Sequence, residues 1–92
     1  DALSATGQKQ EAIAAYQTAI ELNPNFSWAY HNLGDRLQEQ GEYQEAIAAY
    51  RRAKEIEPNV AKFHYDLGDT LAKIGEINEA SLCYRRALEL ES

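Results

Sequence analysis

Gln10-Glu11-Ala12-Ile13-Ala14-Ala15-Tyr16 returns 34 positions later as Gln44-Glu45-Ala46-Ile47-Ala48-Ala49-Tyr50, seven residues unchanged. Setting residues 1–58 against 35–92 without a gap gives 28 identities in 58 pairs. Composition alone would give about 6% of positions, so the chain is built on a 34-residue period, a length typical of stacked helical repeats. The punctuation keeps the same step. Gly7, Gly41 and Gly75 recur, as do Pro24 and Pro58, each followed by an asparagine, Asn25 or Asn59. Glycine permits a positive φ and so ends one helix and turns the chain. Proline cannot continue a helix interior, and Pro-Asn reads as the loop between units.

Two stretches lie between these marks in each unit, 27–40 and 43–56 in the second. Ala46, Tyr50 and Ala53 fall at i, i+4, i+7, and Tyr30, Leu33 and Leu37 at i, i+3, i+7. Both patterns place apolar residues on one helical face, and neither alternates as a strand would. The small residues at 46, 49 and 53 allow close helix approach. The expected fold is all-α, an array of antiparallel helix-turn-helix pairs.

The residues that carry this reading resemble the tetratricopeptide repeat. The family pattern has a large residue, Leu-Gly and another large residue on the first helix, then Gly, an aromatic, Ala, an aromatic, Ala and Pro. The second unit supplies Tyr30, Leu33-Gly34, Leu37, Gly41, Tyr43, Ala46, Tyr50, Ala53 and Pro58; the third supplies His64, Leu67-Gly68, Leu71, Gly75, Ala80, Tyr84 and Ala87. Ile77 replaces the aromatic and Ser92 the closing proline. The first unit enters midway, with Gly7, Ala12, Tyr16, Ala19 and Pro24. The resemblance implies a right-handed α-solenoid of about 2.5 units, the half unit following from the 34-residue period. Residues 1–26 form a partial first repeat (the end of one helix plus the next), 27–60 the second and 61–92 the third. All belong to one array, read as a piece of a longer protein.

Composition narrows the function. Net charge is −6, and residues 1–26, 27–60 and 61–92 contribute −2 each (+1 −3, +4 −6, +4 −6). No basic face offers itself to phosphates, so nucleic acid is not an expected partner. No apolar run approaches the roughly 20 residues needed to cross a bilayer, so neither is a membrane. Cys83, the sole cysteine, can form no intramolecular disulfide and suits a reducing compartment such as the cytoplasm. No Ser/His/Asp or Cys/His set stands out, so no enzyme and no cofactor are expected.

Gly34 and Gly68 sit inside first helices, where glycine costs about 1 kcal/mol against alanine, which points to a side chain needing the space. Tyr16, Tyr50 and Tyr84 recur and are expected to pack repeats together. His64 is expected to pack, and Cys83 to fill a second helix. His31 and Asp35, at i, i+4, could share a metal. Zinc takes three or four ligands and no third is evident, so a solvated helix face is the expectation.

The resemblance implies that first helices line a concave groove. Trp28, His31, Asn32, Asp35 and Glu39 would then face it from the second unit, and Lys62, Tyr65, Asp66, Asp69 and Lys73 from the third. For Trp28, contact with the preceding unit is an equal alternative. Some family members grip a C-terminal carboxylate with Lys, Asn, Asn, Lys and Arg across successive repeats. Of those positions Asn32 and Lys62 match, but Asp1 stands at an asparagine position and Asp66 at the arginine position. An aspartate repels the carboxylate that an arginine would hold bidentately. The expected ligand is therefore a neutral or basic peptide or partner helix. The alternatives are a structural segment that self-associates through uncapped terminal helices, among them 77–90 with a face around Tyr84, Ala87 and Leu88, or the recruitment region of a larger enzyme.

Overall fold

The computed structural model describes the backbone of residues 2–91 and the side chains of residues 10–91. Asp1 and Ser92, read above at a clamp and a closing-proline position, lie outside them. Five helices follow one another: α1 (Ala2–Leu22), α2 (Ser27–Glu39), α3 (Tyr43–Ile56), α4 (Ala61–Lys73) and α5 (Ile77–Glu91). Each packs chiefly on its neighbours in sequence, so α2/α3 and α4/α5 are hairpins and α1/α2 and α3/α4 are the joints between units. The result is an all-α solenoid, longer than it is thick at 39 × 29 × 20 Å.

The hairpin turns explain two of the periodic glycines. Gly41 and Gly75 have φ of 80° and 87°. In the first turn the Glu42 amide donates to the Leu37 carbonyl at 2.9 Å and the Gly41 amide to Gln38 at 2.9 Å. Glu76 to Leu71 (2.9 Å) and Gly75 to Ala72 (3.1 Å) repeat the arrangement one period later. This is the Schellman cap, whose left-handed residue is nearly always glycine. Gly7, which the sequence reading assigned to a third such turn, instead lies inside α1. Continuing the helix keeps its hydrogen bonds at a glycine cost of about 1 kcal/mol.

Gly34 and Gly68 have the packing role expected of them. A Cβ built on Gly34 would lie 2.7 and 2.8 Å from Tyr50 Cε1 and Cδ1, and one on Gly68 would lie 3.0 and 3.1 Å from the same atoms of Tyr84. The recurring tyrosine of each second helix thus lies across the bare backbone of its partner. The core continues through the joint: Ala46, Ile47 and Tyr50 of α3 meet Leu67 and Leu71 of α4 and Ala80 and Cys83 of α5. His64 packs with its Nε2–H donating to the Pro58 carbonyl at 2.7 Å. Ala87, placed by sequence on an exposed face with Tyr84 and Leu88, is fully buried, because its short side chain lies on the inward stripe with Ala80 and Cys83.

Candidate functional site

The joint between α2 and α4 gathers several residues that break the 34-residue period, among them His31, Phe63 and Asp66. Phe63, at the position Ala29 holds one unit earlier, has no exposed surface. The Trp28 ring meets it edge-on with centroids 4.7 Å apart, and the His31 ring stacks on it at 5.2 Å. Trp28 also meets His31 edge-on at 5.4 Å. Trp28 therefore packs on the following unit, a neighbour the sequence reading did not weigh, and keeps 39% of its surface exposed.

His31 is the main correction. A solvated helix face was expected, but the side chain is 1% exposed. Phe63 and Tyr50 enclose its ring, while Nε2 lies 2.5 Å from Asp66 Oδ2. Burial alone would raise the Asp66 carboxyl, but the hydrogen bonds and charges of His31 and Lys62 outweigh it and hold the group below the usual carboxylate range. An ionised Asp66 only accepts, so His31 Nε2 carries the proton of that bond.

Asp35 and Asp69, one period apart, do the same structural work. Each accepts the hydroxyl of the tyrosine packed on its own first helix, Tyr50 to Asp35 and Tyr84 to Asp69, both at 2.6 Å. The Gln38 amide lies 3.1 Å from the Tyr50 hydroxyl. These bonds favour the neutral phenol. Tyr50 is pushed upward by burial first and by Asp35 second. Tyr84 is pushed up to about 12, chiefly by the Asp69 hydrogen bond and next by burial. A folded-state pKa above the unfolded value near 10 stabilises the fold fully below pH 10, and that contribution is lost as pH rises toward 12. Alkaline unfolding monitored with phenolate absorbance is expected to show Tyr84 ionising near 12, and Asp69→Asn to bring it back toward the ordinary range. An unmoved transition would remove Asp69 as the cause.

The remaining candidates lie on the accessible side of the same two helices. Tyr65 is 40% exposed, its ring edge-on to Tyr84 at 5.5 Å. Asn32 is half-buried, and Glu39, Lys62, Asp69 and Lys73 are exposed. Glu39 pairs with Arg36 at 3.0 Å, Lys62 with Asp66 at 3.3 Å, and Lys73 sits 5.9 Å above the Tyr43 ring. Asp35 and Asp69 are bonded to hydroxyls, so their charges remain uncompensated by those partners. The surface therefore combines partly exposed Trp28 and Tyr65 with an excess of negative charge. Phe63 and the His31–Asp66 bond were missed by sequence reasoning. The available signal was that His31, Phe63 and Asp66 all depart from the period (Tyr65, Ala29 and Asn32 are their counterparts) in adjacent units.

Stacked hairpins with a two-helix face of this kind define a helical-repeat scaffold for protein–protein interaction. A family model described as TPR repeat matches twice, over residues 1–41 and 34–75, and one described as Tetratricopeptide repeat matches residues 61–92. The chain belongs to the tetratricopeptide-repeat family. Among curated proteins nothing matches. Among solved structures, a crystal structure of MamA superposes with a TM-score of 0.88 at 36% identity, covering 91% of this chain and 49% of that one. A second MamA crystal structure gives 0.84 and 36%, over 90% of this chain and 45% of that one. A MamA RS-1 double mutant, at 22% identity and a TM-score of 0.88, shares the fold over 97% of this chain and 50% of its own. The chain thus spans about half the length of the MamA chains it matches. No helix among the described residues is long and apolar enough to cross a membrane.

Proposed function

We propose that the α2/α4 face is a groove that binds a neutral or basic peptide or partner helix, and that these residues serve recruitment rather than chemistry. The observation that carries this reading is the pairing of two partly exposed aromatics, Trp28 at 39% and Tyr65 at 40%, with the carboxylates of Asp35 and Asp69. Aromatic side chains anchor interfaces, while charge sets partner choice and approach. Of the nine candidates other than the buried His31, four are acidic and two are lysines, a sum of −2. An acidic C-terminal peptide would meet that charge, with Asp66 and not an arginine at the position of the clamp's arginine.

Fluorescence anisotropy against acidic C-terminal, basic and neutral-aromatic peptides, each at low and moderate salt, tests the reading. Basic or aromatic peptides are expected to bind, with Asp69→Lys weakening the basic set by about tenfold at low salt and less at moderate salt. Tight binding of acidic C-termini would overturn it.

A second reading, self-association, draws support from α5, where Ile77, Leu82 and Leu88 are 57%, 61% and 59% exposed. Light scattering behind size exclusion separates the two. A mass that rises with concentration and falls on Leu82→Glu favours self-association, and a constant monomer removes it.

A further inference from the structure

Apart from any peptide, the joint between the second and third repeats contains donor atoms that no hydrogen bond in the protein uses. His31 is 1% exposed and its Nδ1 is buried without a hydrogen-bond partner. Nε2 is bonded to the ionised Asp66, which leaves Nδ1 as the free ring position. A buried nitrogen with no partner is costly and calls for an explanation. It faces Asp35 Oδ2 at 3.7 Å, beyond hydrogen-bonding reach. Tyr50 occupies the other oxygen of that carboxylate, Oδ1.

The separation of the two atoms is close to that of two ligands on one ion. Two ligand bonds of about 2.0–2.2 Å meeting near the tetrahedral angle set nitrogen and oxygen roughly 3.4 Å apart, about 0.3 Å less than the distance seen. Ligating atoms of His31, Asp35 and Asp66 all lie within 4.8 Å of one another. A metal-bound imidazole ordinarily donates its other N–H to a carboxylate, which fixes the tautomer and turns the lone pair toward the ion. Asp66 already does this for His31.

We propose that His31 Nδ1 and Asp35 Oδ2 bind a divalent transition-metal cation of the zinc or cobalt type, with Asp66 orienting the imidazole and adding a second negative charge. An imidazole–carboxylate donor set selects such ions over magnesium or calcium, which prefer oxygen alone. Asp35 and Asp66 are 29% and 21% exposed, so water can complete the coordination. Lys62 approaches Asp66 Oδ2 at 3.3 Å, but it is 58% exposed, and a surface pair of that kind is weak enough to open. Both ligands lie on α2, and the ion would act on α4 only through the His31–Asp66 hydrogen bond.

Isothermal titration of the untagged 92-residue chain with zinc chloride, and with cobalt chloride followed by visible absorbance, tests the site. One zinc per chain is expected, with no comparable heat from magnesium. His31→Gln is expected to abolish binding. Asp35→Asn retains the acceptor for Tyr50, so the fold is kept, and affinity is expected to fall at least tenfold. Asp66→Asn is expected to cost about 10–100-fold, the usual effect of losing the carboxylate behind a metal-bound histidine. Lys62→Ala leaves affinity equal or higher. Circular dichroism of each variant establishes that it is folded. Absence of saturable zinc binding, or an affinity unchanged in Asp35→Asn, overturns the proposal.

Discussion

Tyr50→Ala is expected to bring the protein close to unfolding, and in that background Gly34→Ala is expected to reverse the sign of its effect. Tyr50 is fully buried and lies across Gly34 of the facing helix. Truncating a buried aromatic to alanine costs about 3–5 kcal/mol, a large share of the 5–15 kcal/mol that holds a typical domain together. The stranded Asp35 carboxylate adds little, because at 29% exposure water can reach it. In the parent protein an alanine methyl at residue 34 would sit 2.7 Å from a ring carbon, where carbon atoms ordinarily rest about 3.5–4.0 Å apart. The ring is enclosed and cannot retreat. Overpacking of about 1–3 kcal/mol then outweighs the helix-propensity gain of about 1 kcal/mol, and Gly34→Ala destabilises. With the ring gone only the gain remains, and the same substitution stabilises. Urea denaturation of the four proteins gives the coupling, expected at roughly 2–3 kcal/mol. At Gly68 the clearance is 3.0 Å and Tyr84 is only half-buried, so its ring can shift and the penalty is smaller. If Gly34→Ala stabilises the parent protein, the tyrosine–glycine contact does not hold the hairpin.

The contrast between Tyr50 and His31 marks how far the sequence could be read. Much of what repeats was legible. The spacing of Gly41 and Gly75 located the turns, and Gly34 and Gly68 inside first helices called for a side chain needing the space, because each rests on geometry that every unit must satisfy. Gly7 keeps the period but not the turn, since α1 runs through it. The site was less legible for a related reason. His31, Phe63 and Asp66 differ from their counterparts in the neighbouring unit, so periodicity marks them as exceptions without saying what they touch. That His31 reaches Asp66, 35 positions away, depends on how α2 and α4 lie side by side across the joint. Helical phase alone puts His31 beside Asp35 and leaves both on what looks like a wet face.

Phe63→Ala follows from that joint and is expected to loosen it while leaving each hairpin intact. Phe63 contributes nothing to the repeat signature, yet its buried ring is the surface on which Trp28 and His31 pack from the preceding unit. Truncation costs about 3–5 kcal/mol for the lost transfer energy and the cavity, and within that total each aromatic pair accounts for about 0.5–1.5 kcal/mol. In a solenoid stability divides into terms within units and terms between neighbours. A loss confined to one joint therefore separates the melting of α4/α5 from that of α1–α3, and a single transition becomes two. Trp28 is the only tryptophan, so its fluorescence reports this joint directly. It is already 39% exposed, and losing Phe63 is expected to shift its emission further to the red before the helical signal falls. Leu82→Ala, at a side chain 61% exposed on α5, serves as the control and is expected to change stability by no more than about 0.5 kcal/mol. Should Phe63→Ala melt in one transition with unshifted Trp28 emission, the joint is held by the α3/α4 core alone, and the aromatic cluster is packing without consequence for the coupling of the units.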